Sequence, residues 1–280
     1  MPRSQPLILG AVAYDPKVVT IWEGFKAYFA ERGLPFDYVL YSNYESQVLG
    51  HFAGQVHVAW NSPLAWIEAE RLAAKLGRKA SAIAMRDSDR DLTSVIVSRR
   101  NGGITQLADL KGKRVAVGAK DSPQATLIPL ELIADAGLAP FTDVAVTYCN
   151  IGEGKHGDHI GGERDAAKAL MAGSADACCI LDANRMLFAQ EGMLPTGATQ
   201  IVATTAPFDH CNFTVLDGAP QALLDRFVEL LLAMSYTDPA VRPLLDMEGL
   251  KQWLPGRVSG YAALNRAVDR FHSLDSFLSS

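Results

Sequence analysis

Short apolar runs alternate with amphipathic segments along most of this chain. This alternation predicts strands that are each followed by a crossover helix, which is the repeating unit of an α/β fold with a parallel sheet. The predicted strands are Leu7–Ala13, Phe36–Leu40, Val56–Ala59, Ala80–Met85, Ser94–Ser98, Arg114–Gly118, Val144–Tyr148, Ala177–Leu181, Gln200–Ala203 and Asn212–Leu216. The predicted helices begin near Pro16, Ser46, Pro63, Ser122, Arg164, Asn184 and Pro220.

The length of the chain predicts two lobes. A single hydrophobic core stops growing at about 250–300 residues, and this chain has 280. Two segments also have the same pattern: SQVLGHFAGQVHVAWNS and AKALMAGSADACCILDA each predict a helix, Ala-Gly, a strand and a polar turn. No low-complexity stretch or long linker separates the halves, so we expect the lobes to join through strands.

The segment Thr105–Leu138 indicates where a ligand could bind. Its apolar strand, Arg114–Gly118, leads into a helix for which Ser122 is a good N-cap and Pro123 suits the first turn. A helix N-terminus at the carboxyl end of a strand offers unpaired N–H groups and a positive dipole to an anionic or polar molecule. The alternative is an ordinary strand-to-helix turn with no ligand.

Several phrases of the sequence together resemble one protein family. ADLKGKRVAVG, followed by a loop and a helix ending in AGL, resembles the start of the second lobe of type II periplasmic solute-binding proteins, in the phosphate/phosphite/phosphonate-binding branch. The phrases YSNYESQVLGHFAGQVHVAWNSPLAW, ERDAAKALMAGSADACCILDANRM and TTAPFDHCNFTVLDGAPQALLDRFVELLLAM fall in the same order as in that family. The resemblance spans nearly the whole chain.

The resemblance implies an α/β, two-lobed periplasmic-binding-protein type II fold, with two Rossmann-like lobes joined by a two-strand hinge. Residues 1–90 plus 207–280 would form lobe one, and residues 91–206 would form lobe two. The hinge would lie around Arg90–Ser98 and Pro207–Val215.

The resemblance also implies a ligand site to which both lobes contribute hydroxyls and backbone N–H groups. Asn61, Ser62 and Pro63 follow a strand and repeat the cap pattern of Ser122 and Pro123. Each candidate taken alone is more often a cap, turn or surface residue. The candidate ligand-binding residues are Tyr44, Asn61, Ser62, Ser122, Thr126, His156, His159, Asp182 and Asp209.

Two residues depart from what a phosphonate site needs. Pro123 removes one N–H donor, and Asp121 adds a negative charge that would oppose a dianionic phosphoryl group. A phosphonate- or phosphate-like ligand therefore competes with a small organic acid, an amine-bearing zwitterion or a heterocycle. Asp182 and Asp209 are available to hold a cationic end.

The loop Asn150–Gly162, NIGEGKHGDHIGG, combines five glycines with His156 and His159. It lacks the GxxxxGK[ST] pattern, which argues against a phosphate-binding P-loop. The two histidines, completed by His210-Cys211, are a weak metal pattern without HExxH or CxxC, so we predict no metal and no cofactor. We expect a mobile loop whose histidine donates a hydrogen bond to the ligand on closure.

Composition and charge exclude some functions. A net charge of -5 with interspersed signs offers no basic surface for nucleic acid. Apolar runs are too short for membrane insertion, and the cysteines are expected to be buried free thiols. No export leader precedes the first strand, so we expect a periplasmic protein if a signal was removed and a cytoplasmic one if the chain is complete.

Two classes of function remain. The first is a solute-binding protein that closes on a small molecule for an ABC-type transport or sensing system, with a permease as its possible partner. The second is a cytoplasmic enzyme on the same fold, of decarboxylase, dehydratase or biosynthetic type. The absence of a nucleophile–base pattern favours the solute-binding protein.

Overall fold

A computed structural model describes residues 5–279; residues 1–4 of the N-terminal segment, and Ser280, lie outside the described residues. The strands are β1 (Leu7–Val12), β2 (Phe36–Tyr41), β3 (Val58–Asn61), β4 (Ala80–Arg86), β5 (Ser94–Arg99), β6 (Arg114–Val117), β7 (Ala145–Tyr148), β8 (Ala177–Leu181), β9 (Thr199–Thr204), β10 (Asn212–Leu216) and β11 (Trp253–Pro255). The helices are α1 (Lys17–Glu31), α2 (Tyr44–Phe52), α3 (Pro63–Lys75), α4 (Ile128–Asp135), α5 (Gly161–Ala172), α6 (Asp182–Gln190), α7 (Gln221–Leu232), α8 (Arg242–Glu248), α9 (Ala262–Phe271) and α10 (Asp275–Ser279).

The chain divides into two compact units. Unit 1 comprises Met1–Arg90, Asp209–Gly260 and Asp275–Ser280, and unit 2 comprises Asp91–Phe208 and Tyr261–Leu274. The sequence assigns residues 261–274 to lobe one, whereas they belong to unit 2. The physical reason lies in α9, where Arg270 donates hydrogen bonds to Glu131 and Asp135 of unit 2.

Unit 1 is built on a mixed sheet in the order β11-β4-β10-β3-β1-β2. Strand β1 runs parallel to β2 and β3, as the alternating strand and helix pattern predicts. Strand β10 runs antiparallel to β3 and β4, so the expectation of an all-parallel sheet is wrong here. The chain returns to unit 1 at Asp209 and enters the sheet directly, without the helix that a parallel crossover requires.

Unit 2 repeats this arrangement in a five-stranded sheet, in the order β7-β6-β8-β5-β9. Strand β6 is parallel to β7 and β8, and β5 is antiparallel to β8 and β9. After the carboxyl end of β6, the chain reaches the helix cap at Ser122. After the carboxyl end of β8, it enters α6.

Separate apolar cores stabilise the two units. In unit 1, aromatic rings of α1 pack against the sheet, and Phe213 stacks edge-on against Phe227. In unit 2, apolar residues cover both faces of the sheet, with Leu170 on one face and Leu130 on the other. Burial of each such side chain contributes about 1.5–3 kcal/mol to folding.

The four cysteines are free thiols. Cys178, Cys179 and Cys211 are buried, as expected, and Cys149 is half-buried. Burial raises the pKa of the Cys179 thiol to about 12, which keeps this side chain neutral and apolar in character.

Candidate functional site

In unit 1, the N-terminus of α3 is the first candidate site. Ser62 is the N-cap, and its hydroxyl oxygen accepts a hydrogen bond from Ala65 N at 3.1 Å. Pro63 occupies the first turn, so it has no N–H to satisfy. The helix offers no carbonyl to the N–H of Leu64, which lies at the positive end of a 13-residue helix. This end of α3 can therefore receive an anionic or acceptor group.

Polar groups next to this helix are held in fixed positions. The Asn61 side chain donates to Thr214 Oγ1 at 2.9 Å and accepts from Gln47 Nε2 at 2.8 Å. The Gln47 side chain also donates to the Trp60 carbonyl. Its Oε1 atom is buried and accepts no hydrogen bond from any described residue. Tyr44, at the start of α2, is buried.

In unit 2, the second predicted cap has the expected geometry. The Ser122 hydroxyl accepts a hydrogen bond from Ala125 N at 3.2 Å, and Pro123 begins a π-helical turn that continues into α4. The Thr126 hydroxyl donates to the Ala119 carbonyl at 2.8 Å. The two hydroxyls therefore contribute to local structure as well as being ligand candidates.

Beside Ser122, two buried acceptor oxygens lack donors. Asp121 Oδ1 and Gln124 Oε1 accept no hydrogen bond from any described residue. The opposite atoms of these side chains are engaged, since Asp121 Oδ2 accepts from Gly154 N at 2.5 Å and Gln124 Nε2 donates to the Gly157 carbonyl at 2.8 Å. The engaged atoms fix the orientation of both side chains, so the local chemistry is rich in acceptors.

The predicted histidine loop is thus docked on this cap in unit 2. His156 is fully buried and adopts a positive φ of 50°, while its N–H approaches Asp121 Oδ2 at 3.4 Å. His159 is exposed, and its Nδ1 atom accepts a hydrogen bond from Gly161 N. The two histidines therefore have different environments, and His156 is the one held near the cap.

The two aspartates expected to hold a cationic ligand group already have arginine partners. Asp182 accepts a hydrogen bond from Arg185 Nε at 2.9 Å. Asp209 is buried and accepts from Arg257 Nε and Nη2 at 2.7 and 2.5 Å. These guanidinium groups compensate the carboxylate charges, which leaves Asp121 as the stronger candidate for contact with a cation.

Sequence reasoning did not single out Gln47, Gln124 or Arg257. Gln124 lies two positions after Ser122, in the first turn of the predicted helix, so its proximity to the cap was accessible from the sequence. Gln47 and Arg257 reach their partners through the tertiary fold, and Arg257 is 48 residues from Asp209. No local spacing pattern signals such a pair.

The chain belongs to the ABC transporter, phosphonate, periplasmic substrate-binding protein family, whose model matches residues 11–261. It is a solute-binding protein, and family membership supports this function over the enzyme alternative.

Solved structures share the fold at low sequence identity. PhnD1 from Prochlorococcus marinus in complex with methylphosphonate is 16% identical, with 95% of this chain and 98% of that chain covered and a TM-score of 0.70. XAC2383 from Xanthomonas citri bound to ATP is 18% identical, with 95% and 99% covered and a TM-score of 0.71. The periplasmic aliphatic sulphonate binding protein SsuA from Escherichia coli is 16% identical, with 98% and 88% covered and a TM-score of 0.60.

Among the described residues, no helix has the length and apolar character needed to cross a lipid bilayer.

Proposed function

We propose that this protein binds a small zwitterionic organic acid, of the aminoalkylphosphonate or amino-acid-like class, for delivery to an ABC permease. The observation that supports this ligand class most directly is the pair of buried acceptor oxygens, Asp121 Oδ1 and Gln124 Oε1. A buried acceptor without a donor costs about 1–3 kcal/mol, so a ligand that supplies an N–H donor there gains that free energy.

An ammonium group suits these acceptors better than a phosphoryl group does. Ammonium carries three N–H donors and a positive charge, whereas a phosphonate carries acceptors and negative charge. Asp121 accepts hydrogen bonds from Gly154 N and His156 N, and these keep its carboxylate oriented. A dianion placed beside this carboxylate would meet like charge, as the sequence already indicates.

In unit 1, considered by itself, the N-terminus of α3 suits an anionic group. The Ser62 hydroxyl and the N–H of Leu64 lie at the positive end of the helix dipole. The family match supports an anionic group on the solute. Family membership supports a permease partner and a periplasmic location for the working protein.

A matched pair of ligands tests the proposal. 2-Aminoethylphosphonate and ethylphosphonate have the same chain length and differ in the amine. We expect calorimetric titration to give about 10- to 100-fold tighter binding of the amine, because a charge-assisted hydrogen bond contributes about 1.5–3 kcal/mol. Equal affinities for the two compounds, or tighter binding of ethylphosphonate, would contradict the proposed ligand class.

A variant locates the amine-binding group. Asp121→Asn keeps one oxygen for Gly154 N and replaces the other with an NH₂ donor that repels an ammonium group. The variant should therefore lose most of the preference for the amine while still binding ethylphosphonate. Asp182→Asn is the control, since Asp182 already pairs with Arg185; it should keep the wild-type preference.

A further inference from the structure

A cluster of three different metal-ligand types lies in unit 1. Asp89, His210 and Cys211 are buried, and one ligand atom from each lies within 4.8 Å of the others. His210 Nδ1 is 3.1 Å from Cys211 Sγ and 3.5 Å from Asp89 Oδ1. Ligand atoms around tetrahedral Zn²⁺ are about 3.3–3.6 Å apart, given metal–ligand distances of about 2.0–2.3 Å.

We propose that Asp89, His210 and Cys211 form a zinc site that joins the chain segments entering and leaving unit 1. The donor set of one thiolate, one imidazole and one carboxylate suits Zn²⁺, whereas Mg²⁺ and Ca²⁺ prefer oxygen ligands alone. Binding would replace the thiol proton of Cys211 with a Zn–S bond, and the proton would pass to solvent.

The backbone holds the three ligands in place before any metal binds. His210 N donates to the Asp89 carbonyl at 2.8 Å, although the two residues are distant in sequence. Asp89 precedes the last residue of the first unit 1 segment, and His210 is the second residue of the returning segment. A metal ion at this position would therefore tie together two segments that are already paired, at little entropic cost.

The salt bridge of Arg86 is compatible with this site. Arg86 donates to both Asp89 oxygens, with Nε–Oδ2 at 2.5 Å and Nη2–Oδ1 at 2.8 Å. A carboxylate oxygen has two acceptor positions, so it can accept from Arg86 and still coordinate a metal ion. Hydrogen-bonded carboxylates are common among metal ligands, since the outer partner fixes their orientation.

The charges of the cluster favour a divalent cation. Arg86 contacts two nearly buried carboxylates, those of Asp89 and Glu248, with side-chain exposures of 2% and 4%. Counting these three groups leaves one excess negative charge in a buried region. Zn²⁺ together with a Cys211 thiolate adds one positive charge, and the sum becomes zero. The alternative is a direct contact between His210 and Asp89 that needs no metal.

Cobalt substitution distinguishes these alternatives. The full-length protein, stripped with a chelator, would be titrated with Co²⁺ in the absence of any solute, so the result does not depend on the proposed transport function. We expect one equivalent to bind and to produce a thiolate-to-cobalt charge-transfer band that Zn²⁺ abolishes. Absence of the band with the folded protein would overturn the proposal in favour of a metal-free contact between His210 and Asp89.

Matched cysteine variants assign the ligand. Cys211→Ser should remove the band and weaken Zn²⁺ binding by at least about 100-fold, and Cys149→Ser should leave both unchanged. If Cys211→Ser does not fold, His210→Gln gives a second test, because it should keep the band but weaken metal binding. A band that persists in folded Cys211→Ser, or undiminished Zn²⁺ affinity in folded His210→Gln, would overturn the assignment.

Discussion

At the scale of single residues, Arg257 gives Asp209, a predicted ligand-binding residue, a structural partner. Asp209 is fully buried as a side chain, and Arg257 is about one-third exposed, at 0% and 32%. Arg257→Gln would leave the carboxylate buried without its counter-charge. We expect a loss of about 3 kcal/mol, the low end for a broken buried pair because Arg257 retains some solvent contact. Urea denaturation measures this loss.

The double variant Asp209→Asn/Arg257→Gln is the control for that experiment. Removal of both charges also removes the uncompensated carboxylate, so the double variant should be more stable than Arg257→Gln alone. A double variant that is less stable than the single one would show that the ion pair itself was not the source of the loss.

The two serine caps lead to a second prediction at this scale. Ser62→Ala and Ser122→Ala each remove a cap hydrogen bond, to Ala65 N and Ala125 N respectively, and should cost about 1 kcal/mol of stability. If the hydroxyls also bind the ligand, affinity should fall by roughly 1–3 kcal/mol. Calorimetric titration alongside thermal melts separates the two effects. Variants that unfold at a lower temperature but bind the ligand with wild-type affinity would show that the serines are caps only.

The caps could be predicted because their signal is local. A serine followed by proline after a strand defines the start of a helix within three residues. The arginine partners of Asp182 and Asp209 also differ in whether they are close in the sequence. Arg185 is three residues away and accessible to helix spacing, whereas Arg257 reaches Asp209 only through the folded chain. Charge compensation at buried aspartates is therefore the part of the site that a sequence pattern cannot provide.

At the scale of elements, the histidine loop depends on a close backbone approach at Gly157. A Cβ added there would lie 2.4 Å from Ser122 Oγ and 2.6 Å from Gln124 Nε2, and the residue has a φ of +80°. Gly157→Ala should undock the loop from the cap in unit 2. Limited proteolysis within residues 150–162 should become faster as a result.

Gly173→Ala is the matched control for the steric contact. Gly173 is also in unit 2 and has a φ of +77°, but a Cβ there meets nothing within 4 Å. This variant should show only the cost of a left-handed residue, about 1–2 kcal/mol, and leave loop proteolysis unchanged. Similar proteolysis of both variants would mean that the close contact at Gly157 does not hold the loop.

The same loop should respond to the ligand. Because Asp121 and Gln124 hold the loop and also carry the free acceptor oxygens, an occupied acceptor pair should slow opening of the loop. We expect hydrogen exchange of Gly152–Gly162 to be slower with 2-aminoethylphosphonate than without it. Unchanged exchange at saturating ligand would indicate a structural loop independent of the site.

Five-residue strands rich in apolar and β-branched residues were predictable, and the shortest strand was not. The bounds of β8 and β10 agree with the sequence prediction: β8 is an apolar run, and β10 is buried along its whole length although Asn212 and Thr214 are polar. Strand β11 has three residues, too few for a period to show. The sequence pattern predicts no helix at the position of α9, and the place of α9 in unit 2 depends on the pairing of Arg270 with Glu131. The antiparallel direction of β10 also depends on the tertiary fold, because it is set by where the chain returns to unit 1.

At the scale of the whole molecule, family membership and ligand class are indicated by different features of the protein. The order of several phrases along the chain indicates the family, because that order reflects the sequence of strands and helices that the fold requires. The ligand class depends on a few atoms whose orientation is set by neighbours, such as Asp121 Oδ1 and Gln124 Oε1. Unbonded acceptors of this kind become visible only in three dimensions.

The stability of the whole molecule should decrease as the pH falls from about 6.5 to about 4. Burial lowers the pKa of His51 to about 4, from 6.5, and burial also lowers the pKa of His57. As the pH falls, the unfolded chain takes up protons on these rings before the folded protein does. The contribution of these histidines to the free energy of unfolding is therefore complete above pH 6.5. It is lost progressively as the pH falls toward 4, and His51 alone accounts for a loss of about 3 kcal/mol.

Urea denaturation at pH 7.0, 6.0, 5.0 and 4.5 measures this loss separately from the carboxylates. The hydrogen bond from Arg114 lowers the pKa of the Asp176 carboxyl to about 2 in the folded protein, from 3.8 in the unfolded chain. The stability that Asp176 contributes is therefore complete above pH 3.8 and is lost only below that pH. His51→Gln should flatten most of the slope between pH 6.5 and 4.5. His272→Asn, at an exposed left-handed position, should keep it. A wild-type slope in His51→Gln would assign the pH dependence to other groups.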